Sequence, residues 1–138
     1  MMSIENLIEA YNATSYQTTE DPLLNVRIGE SNKKLNSYLN KKNYNSWVFI
    51  TASNPMSIVQ LSDAINTQRN IKLKNQIIYN AWPFLHGQGV PDKGNWRSEE
   101  SFMIFNISKN EAIKLAKKFD QRAFVFGEIN KTAELVMT

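Results

Sequence analysis

Apolar residues in this chain recur with two periods, and the changes between those periods mark its elements. Behind Ser3, a hydroxyl suited to capping a helix, Ile4, Leu7, Ile8 and Tyr11 fall three and four apart. This predicts a short amphipathic helix over 4–11, packed on a sheet. Leu24, Val26 and Ile28 then alternate with Leu23, Asn25 and Arg27, the period of a half-buried strand, and the preceding SYQT is a candidate partner strand. Gly29 marks a turn. A second helix is expected from about 31 to 42, with Leu35, Tyr38 and Leu39 on one face and Lys41 and Lys42 before Asn43 as C-terminal signals.

WVFIT, 47–51, is apolar on both faces, as expected of a central strand covered by helices on each side. It runs into ASNPMS, a loop of small hydroxyls, an amide and a proline. From 58 to 79, Leu61, Ile65, Leu73 and Ile77 recur at four-residue steps and predict a long helix whose stripe is interrupted by Arg69. AWPFL, 81–85, reads as a short strand broken by Pro83. HGQGVPDKGNW, 86–96, holds three of the five glycines and reads as a long surface loop. SFMIF, 101–105, is a further strand. Ser108 and Glu111 form a capping box before the helical spacing of Ala112, Ile113, Leu115, Ala116 and Phe119. RAFVFG, 122–127, and ELVM, 134–137, are predicted to close the chain as a hairpin. The pattern predicts an α/β or α+β fold over 1–138. It would be a single compact domain, a mixed β-sheet flanked by about four helices with a C-terminal hairpin.

Composition narrows the chemistry. At 138 residues the chain is long enough to bury a core without staples, and no apolar run reaches the roughly 18 residues of a membrane span. Glu5 and the lack of a basic segment before an apolar stretch speak against a secretion signal, so a cytoplasmic location away from membranes is expected. The absence of cysteine removes disulfides, thiol catalysis and thiolate metal sites. A formal charge of +3 is spread through pairs such as Lys33/Lys34 and Lys117/Lys118, the pattern of solvated helix faces more than of a nucleic-acid groove.

Candidate chemistry gathers at the exit of the 47–51 strand. In open α/β sheets ligands sit beyond strand carboxyl ends, near free helix-start N–H groups. Thr51, Ser53, Asn54 and Ser57 lie there, with Pro55 suited to a first helical position after an Asn54 cap. A plain capped turn would use the same residues. Asn66, Arg69 and Asn70, at i, i+3 and i+4, share a helical face that should otherwise be apolar. A guanidinium so placed demands a carboxylate, several carbonyls or a bound anion, and Glu99 and Glu100 are at hand. The lone His86 matches no metal spacing, so no metal site is expected. Glu99 and Glu100 point to opposite faces if a strand begins there, so only one would face a site.

These blocks together resemble the small bacterial family catalogued as domain of unknown function 3293. The resemblance covers about 47–126: FITASNPMS, then Asn66, Arg69 and Asn70, then HGQG, then NWRSEESFMIF, then AIKLAKKFDQRAFVF. It adds Gly87 and Gly89 of a Gly-x-Gly loop, Trp96 and Ser101 around the two glutamates, and Gln121 with Ala123 of a terminal turn to the residues of interest. The chain departs from that pattern at Ser53, at Arg97 and Ser98, and at Asp120 and Arg122. The resemblance implies a shared polar site and no particular activity, substrate or cofactor.

Two functions follow as expectations. One is a domain binding a small anionic or nucleotide-like molecule, or a cysteine-independent hydrolase or transferase, with its polar site at 51–57. Thr51, Asn54, Ser57, Asn66, Arg69, Asn70, Gly87, Gly89, Trp96, Ser101 and Gln121 would bind, and Glu99 or Glu100 would act as acid or base. The other is a protein or nucleic-acid interaction module using loop 86–98, with the polar cluster as internal glue.

Overall fold

The structure is a computed structural model that describes residues 3–55, 60–93 and 98–138. Among these, four helices and seven strands occur: α1 (Ile4–Asn12), β1 (Thr14–Thr18), β2 (Asn25–Val26), α2 (Lys33–Lys42), β3 (Ser46–Ile50), α3 (Asp63–Tyr79), β4 (Phe84–Pro91), β5 (Glu99–Phe105), α4 (Lys109–Lys118), β6 (Ala123–Glu128) and β7 (Glu134–Met137). The strands form one sheet in the order β2-β1-β4-β5-β3-β6-β7. All its ladders are antiparallel. The one parallel contact among the described residues is an isolated bridge, Ile28 to Ala133, which draws the two edges of the curled sheet together. The fold is therefore α+β, with β3 in the middle of the sheet.

Each helix begins where a polar side chain takes an N–H that the helix leaves unpaired. Ser3, Asn32, Ser62 and Ser108 do so for α1 to α4, and Ser108 with Glu111 completes the capping box. Asn43, at φ 61, ends α2 in the left-handed region that asparagine tolerates. Two apolar clusters cover the sheet. On one face Leu35 and Leu39 of α2 meet Trp47, Phe49, Met103, Phe105 and Val125. On the other, Leu73 and Ile77 of α3 and Ala112, Leu115 and Ala116 of α4 meet Val48, Ile50, Phe102, Ile104 and Phe124. Successive residues of β3 thus feed opposite layers, which is why WVFI is apolar throughout.

Three expectations change. The stretch HGQGVP is not a loop: it belongs to β4, paired with β1 and β5 on either side. Glycine reads as a turn signal, but at Gly87 it answers a close approach. A Cβ there would lie 2.6 Å from the Gln17 carbonyl oxygen and 2.9 Å from the Phe49 ring. The long helix begins at Asp63, so no described helix start stands at Pro55 for Asn54 to cap. Ile65, assigned to the apolar stripe, is 51% exposed. Steps of four overshoot a helical turn by about 40°, so a stripe written every fourth residue spirals off the buried face.

Candidate functional site

A strand that leaves its sheet leaves backbone groups without ladder partners, and here α3 supplies them. Asn70 Oδ1 accepts the Ala52 N–H at 2.8 Å, and its Nδ2 donates to Ser53 Oγ at 2.9 Å. Arg69 Nε donates to the Ala52 carbonyl at 2.6 Å, and a terminal guanidinium nitrogen donates to the Phe119 carbonyl just past α4, also at 2.6 Å. Gln121 Nε2 donates to the Ser53 carbonyl at 3.1 Å. Thr51 Oγ1 donates to the Glu100 carbonyl at 2.6 Å and accepts the Ser53 N–H at 3.0 Å. Arg69 thus makes no ion pair with Glu99 or Glu100 among the described residues; carbonyls answer its need for partners. Asn70 and Gln121, both buried, likewise turn their amides to this clasp.

Beside the clasp a second network centres on Asn54, whose φ of 47 is one that few residue types adopt without strain. Its Oδ1 accepts the Leu61 N–H at 2.7 Å and Asn66 Nδ2 at 3.0 Å, while its own N–H donates to Asn66 Oδ1 at 2.9 Å. These bonds fix the amide, so Nδ2 faces Glu99 and donates to its Oε2 at 2.9 Å. Burial pushes the Glu99 carboxyl above its ordinary 4.5, against the lowering effect of the Asn54 bond. Glu100 is exposed on the opposite face of β5, as the alternation required.

The two networks border a half-open hollow of about 160 Å³, walled by Ser53, Asn54, Asn66, Asn70, Glu99 and Glu100 together with Gln60, Asp63, Thr67 and Ser98. At about 30 Å³ per water it would hold roughly five waters. The last four residues went unread in the sequence. A signal existed: Asp63, Asn66, Thr67 and Asn70 fall at i, i+3, i+4 and i+7, a polar stripe down one side of α3.

The other expected residues separate. Ser57 and Trp96 lie outside the described residues. Gly87 and Gly89 are opposite Ser101 and Glu99 in the β4–β5 ladder, on the face of the sheet that carries Phe49 and Tyr16. Ser101 is buried, its hydroxyl donating to the Glu99 carbonyl at 3.0 Å. Near them Tyr16 donates to the Tyr11 carbonyl and Tyr11 to the Ala123 carbonyl. Burial, with Glu99 adding to it, raises both phenols above their ordinary range, so they are protonated donors. His86, on β4, places Nδ1 2.5 Å from a Glu20 carboxylate oxygen that also accepts the His86 N–H. Those backbone and side-chain bonds hold the Glu20 carboxyl below its ordinary value. No group of three or more histidine, aspartate or glutamate side chains able to hold a metal occurs among the described residues. No described helix is long and apolar enough to cross a membrane.

Over residues 50–124 the sequence matches the model of a family described as Protein of unknown function (DUF3293). No curated protein and no solved structure matches the chain.

Proposed function

Taking as premise that the chain belongs to this family, whose matched span holds every described wall of the hollow, we propose that it is a small-molecule-binding domain with its ligand seated there. The observation that carries this reading is the arrangement at Asn54. A residue at φ 47 has its side-chain oxygen and backbone N–H consumed by α3 and the loop, so that its remaining donor holds a buried carboxyl at the edge of a polar hollow. Strained residues that orient a perturbed acid are characteristic of binding and catalytic sites.

The described lining also bears on the class of ligand. It carries Asp63, Glu99 and Glu100 and neither lysine nor arginine, and Arg69 is turned to carbonyls. Neutral or positively charged hydrogen-bonding groups, such as hydroxyls or amines, complement such a wall better than a phosphate does. For a hydrolysis or group transfer, Glu99 is the described carboxyl in the hollow with both burial and a fixed amide partner, and hence the one suited to giving and taking a proton.

A thermal-shift screen of the full chain against polyols, amines, amino acids, nucleotides and sugar phosphates tests the proposal, because a ligand of the folded state raises its apparent stability. Hits are repeated on Thr67→Trp, which fills the hollow from an exposed position outside both networks. A compound that stabilises the wild type but not this variant supports the site. Equal stabilisation of both places the ligand elsewhere and overturns the reading.

A further inference from the structure

Of the two sheet edges, β2 is two residues long, whereas β7 offers four. The Thr138 N–H donates to the Arg122 carbonyl at 2.9 Å, which fixes the phase of the β6–β7 ladder. Glu134, Val136 and Thr138 turn their backbone groups to β6, and the alternating residues Ala133, Leu135 and Met137 turn theirs outward. At Ala133 the outward groups are taken: its N–H donates to the Glu30 carbonyl at 3.1 Å, and its carbonyl accepts the Gly29 N–H at 2.8 Å. At Leu135 and Met137 the outward N–H and C=O have no hydrogen-bond partner among the described residues.

Exposed edges of this kind are usually blunted by lysine, proline, glycine kinks or inward charges. Residues 134–137 have none of these. Their single charge, Glu134, is engaged by Lys109 at 2.5 Å. Leu135 and Met137 are opposite Val125 and Ala123, on one face of the sheet, and Met137 is 38% exposed. We propose that β7 is the dimerisation edge of this chain, pairing antiparallel with β7 of a second copy.

The strand is complementary to itself in one register. With the two-fold axis at Val136, Leu135 stands opposite Met137 of the second copy and Met137 opposite its Leu135. All outward donors and acceptors of both residues are then satisfied by four hydrogen bonds. Apolar side chains face each other, and Glu134 meets Thr138 rather than another glutamate. Centring the axis on Leu135 would form only two bonds and would set Met137 against Ala133, whose groups are already used.

Sedimentation velocity of the full chain over a range of concentrations, with backbone amide hydrogen exchange on the same samples, tests this. The expected result is a monomer–dimer equilibrium in which the Leu135 and Met137 amides become protected as dimer forms. Met137→Lys, at an exposed site, should raise the dimer dissociation constant by at least about tenfold while the far-ultraviolet circular dichroism and melting of the monomer are kept. A wild type that is monomeric at every concentration overturns the proposal. So does a dimer that is indifferent to Met137→Lys, or one in which those two amides exchange freely.

Discussion

Asn54 Nδ2 lies 2.9 Å from Glu99 Oε2, and the orientation of that amide is imposed from behind by Asn66 and by the Leu61 N–H. The side chain therefore does two jobs, closing the loop after β3 and steering a carboxyl. Removing it should cost stability in a recognisable order. Asn54→Gly loses the side-chain bonds but accepts the positive φ, and should destabilise by about 1–3 kcal/mol. Asn54→Ala loses the same bonds and adds backbone strain of about 1 kcal/mol. Chemical denaturation should rank wild type above glycine and glycine above alanine. Alanine equal to glycine would show that the left-handed conformation is not held in solution.

The Glu99 carboxyl has the opposite pH signature from a salt-bridged acid. Its folded value is raised above the ordinary 4.5, mainly by burial, so the folded state favours the neutral form. Below the unfolded value both states hold the proton and no penalty exists. As pH rises through the unfolded value and then the folded one, the unfolded chain releases its proton first, and stability is lost across that interval. Glu99→Gln, which keeps an oxygen for Asn54, should thus match wild type at pH 3–4 and gain on it as pH rises towards 7. Urea titrations of the two proteins at several pH values give the difference directly. The acids with lowered values, Glu20 and Asp92, are common to both and cancel.

Much of this site was legible because its determinants are local. Ser108 with Glu111 specifies a helix start, Leu35 and Leu39 specify a helix face, and Leu24 and Val26 sit on the buried side of their short strand as their alternation requires. The opposition of Glu99 to Glu100 followed from strand geometry alone. What was not legible depends on contacts distant in sequence. Nothing near Arg69 says that a carbonyl fifty residues on, at Phe119, will receive its guanidinium. Nothing in HGQGV says that a phenylalanine ring of β3 and the backbone of β1 will press against Gly87 from one face. The polar stripe from Asp63 to Asn70 was visible but had no meaning until the β3 exit was placed against it.

Arg69 ties three elements: α3, which carries it; the β3 exit at Ala52; and the end of α4 at Phe119. A residue that only clamped a ligand would leave the empty protein unchanged when removed. Here Arg69→Ala strips two part-buried carbonyls of charged donors, bonds that contribute about 1.5–3 kcal/mol each before relaxation and water entry reduce the loss. A net destabilisation of about 2–4 kcal/mol is expected in the absence of any ligand, measured as a fall in denaturation midpoint with an unchanged slope. Arg69→Lys should recover part of it, since an ammonium can reach one carbonyl but cannot fork to two. Full stability in Arg69→Ala would mean that the clasp carries no energy and would return the arginine to the list of ligand-binding side chains.

The two glycines of β4 look equivalent in sequence and are not so in space. A Cβ at Gly87 would be 2.6 Å from a backbone oxygen of β1, which cannot swing aside, and 2.9 Å from the Phe49 ring packed beneath it. Gly87→Ala must separate β1 from β4 or displace Phe49, an overpacking strain of about 1–3 kcal/mol. At Gly89 the nearest atom to an added Cβ is Thr14 Cγ2 at 3.6 Å, ordinary van der Waals contact, and the φ is not in the left-handed region. Gly89→Ala removes unfolded-state freedom without a clash and should be neutral or stabilising by about 0.4–1 kcal/mol. Melting temperatures of the two variants should therefore move apart, with Gly87→Ala below wild type and Gly89→Ala at or above it. Equal loss at both would mean that the segment is held as the flexible loop its glycines suggest, and not as the strand between β1 and β5 that carries Glu99 to the hollow.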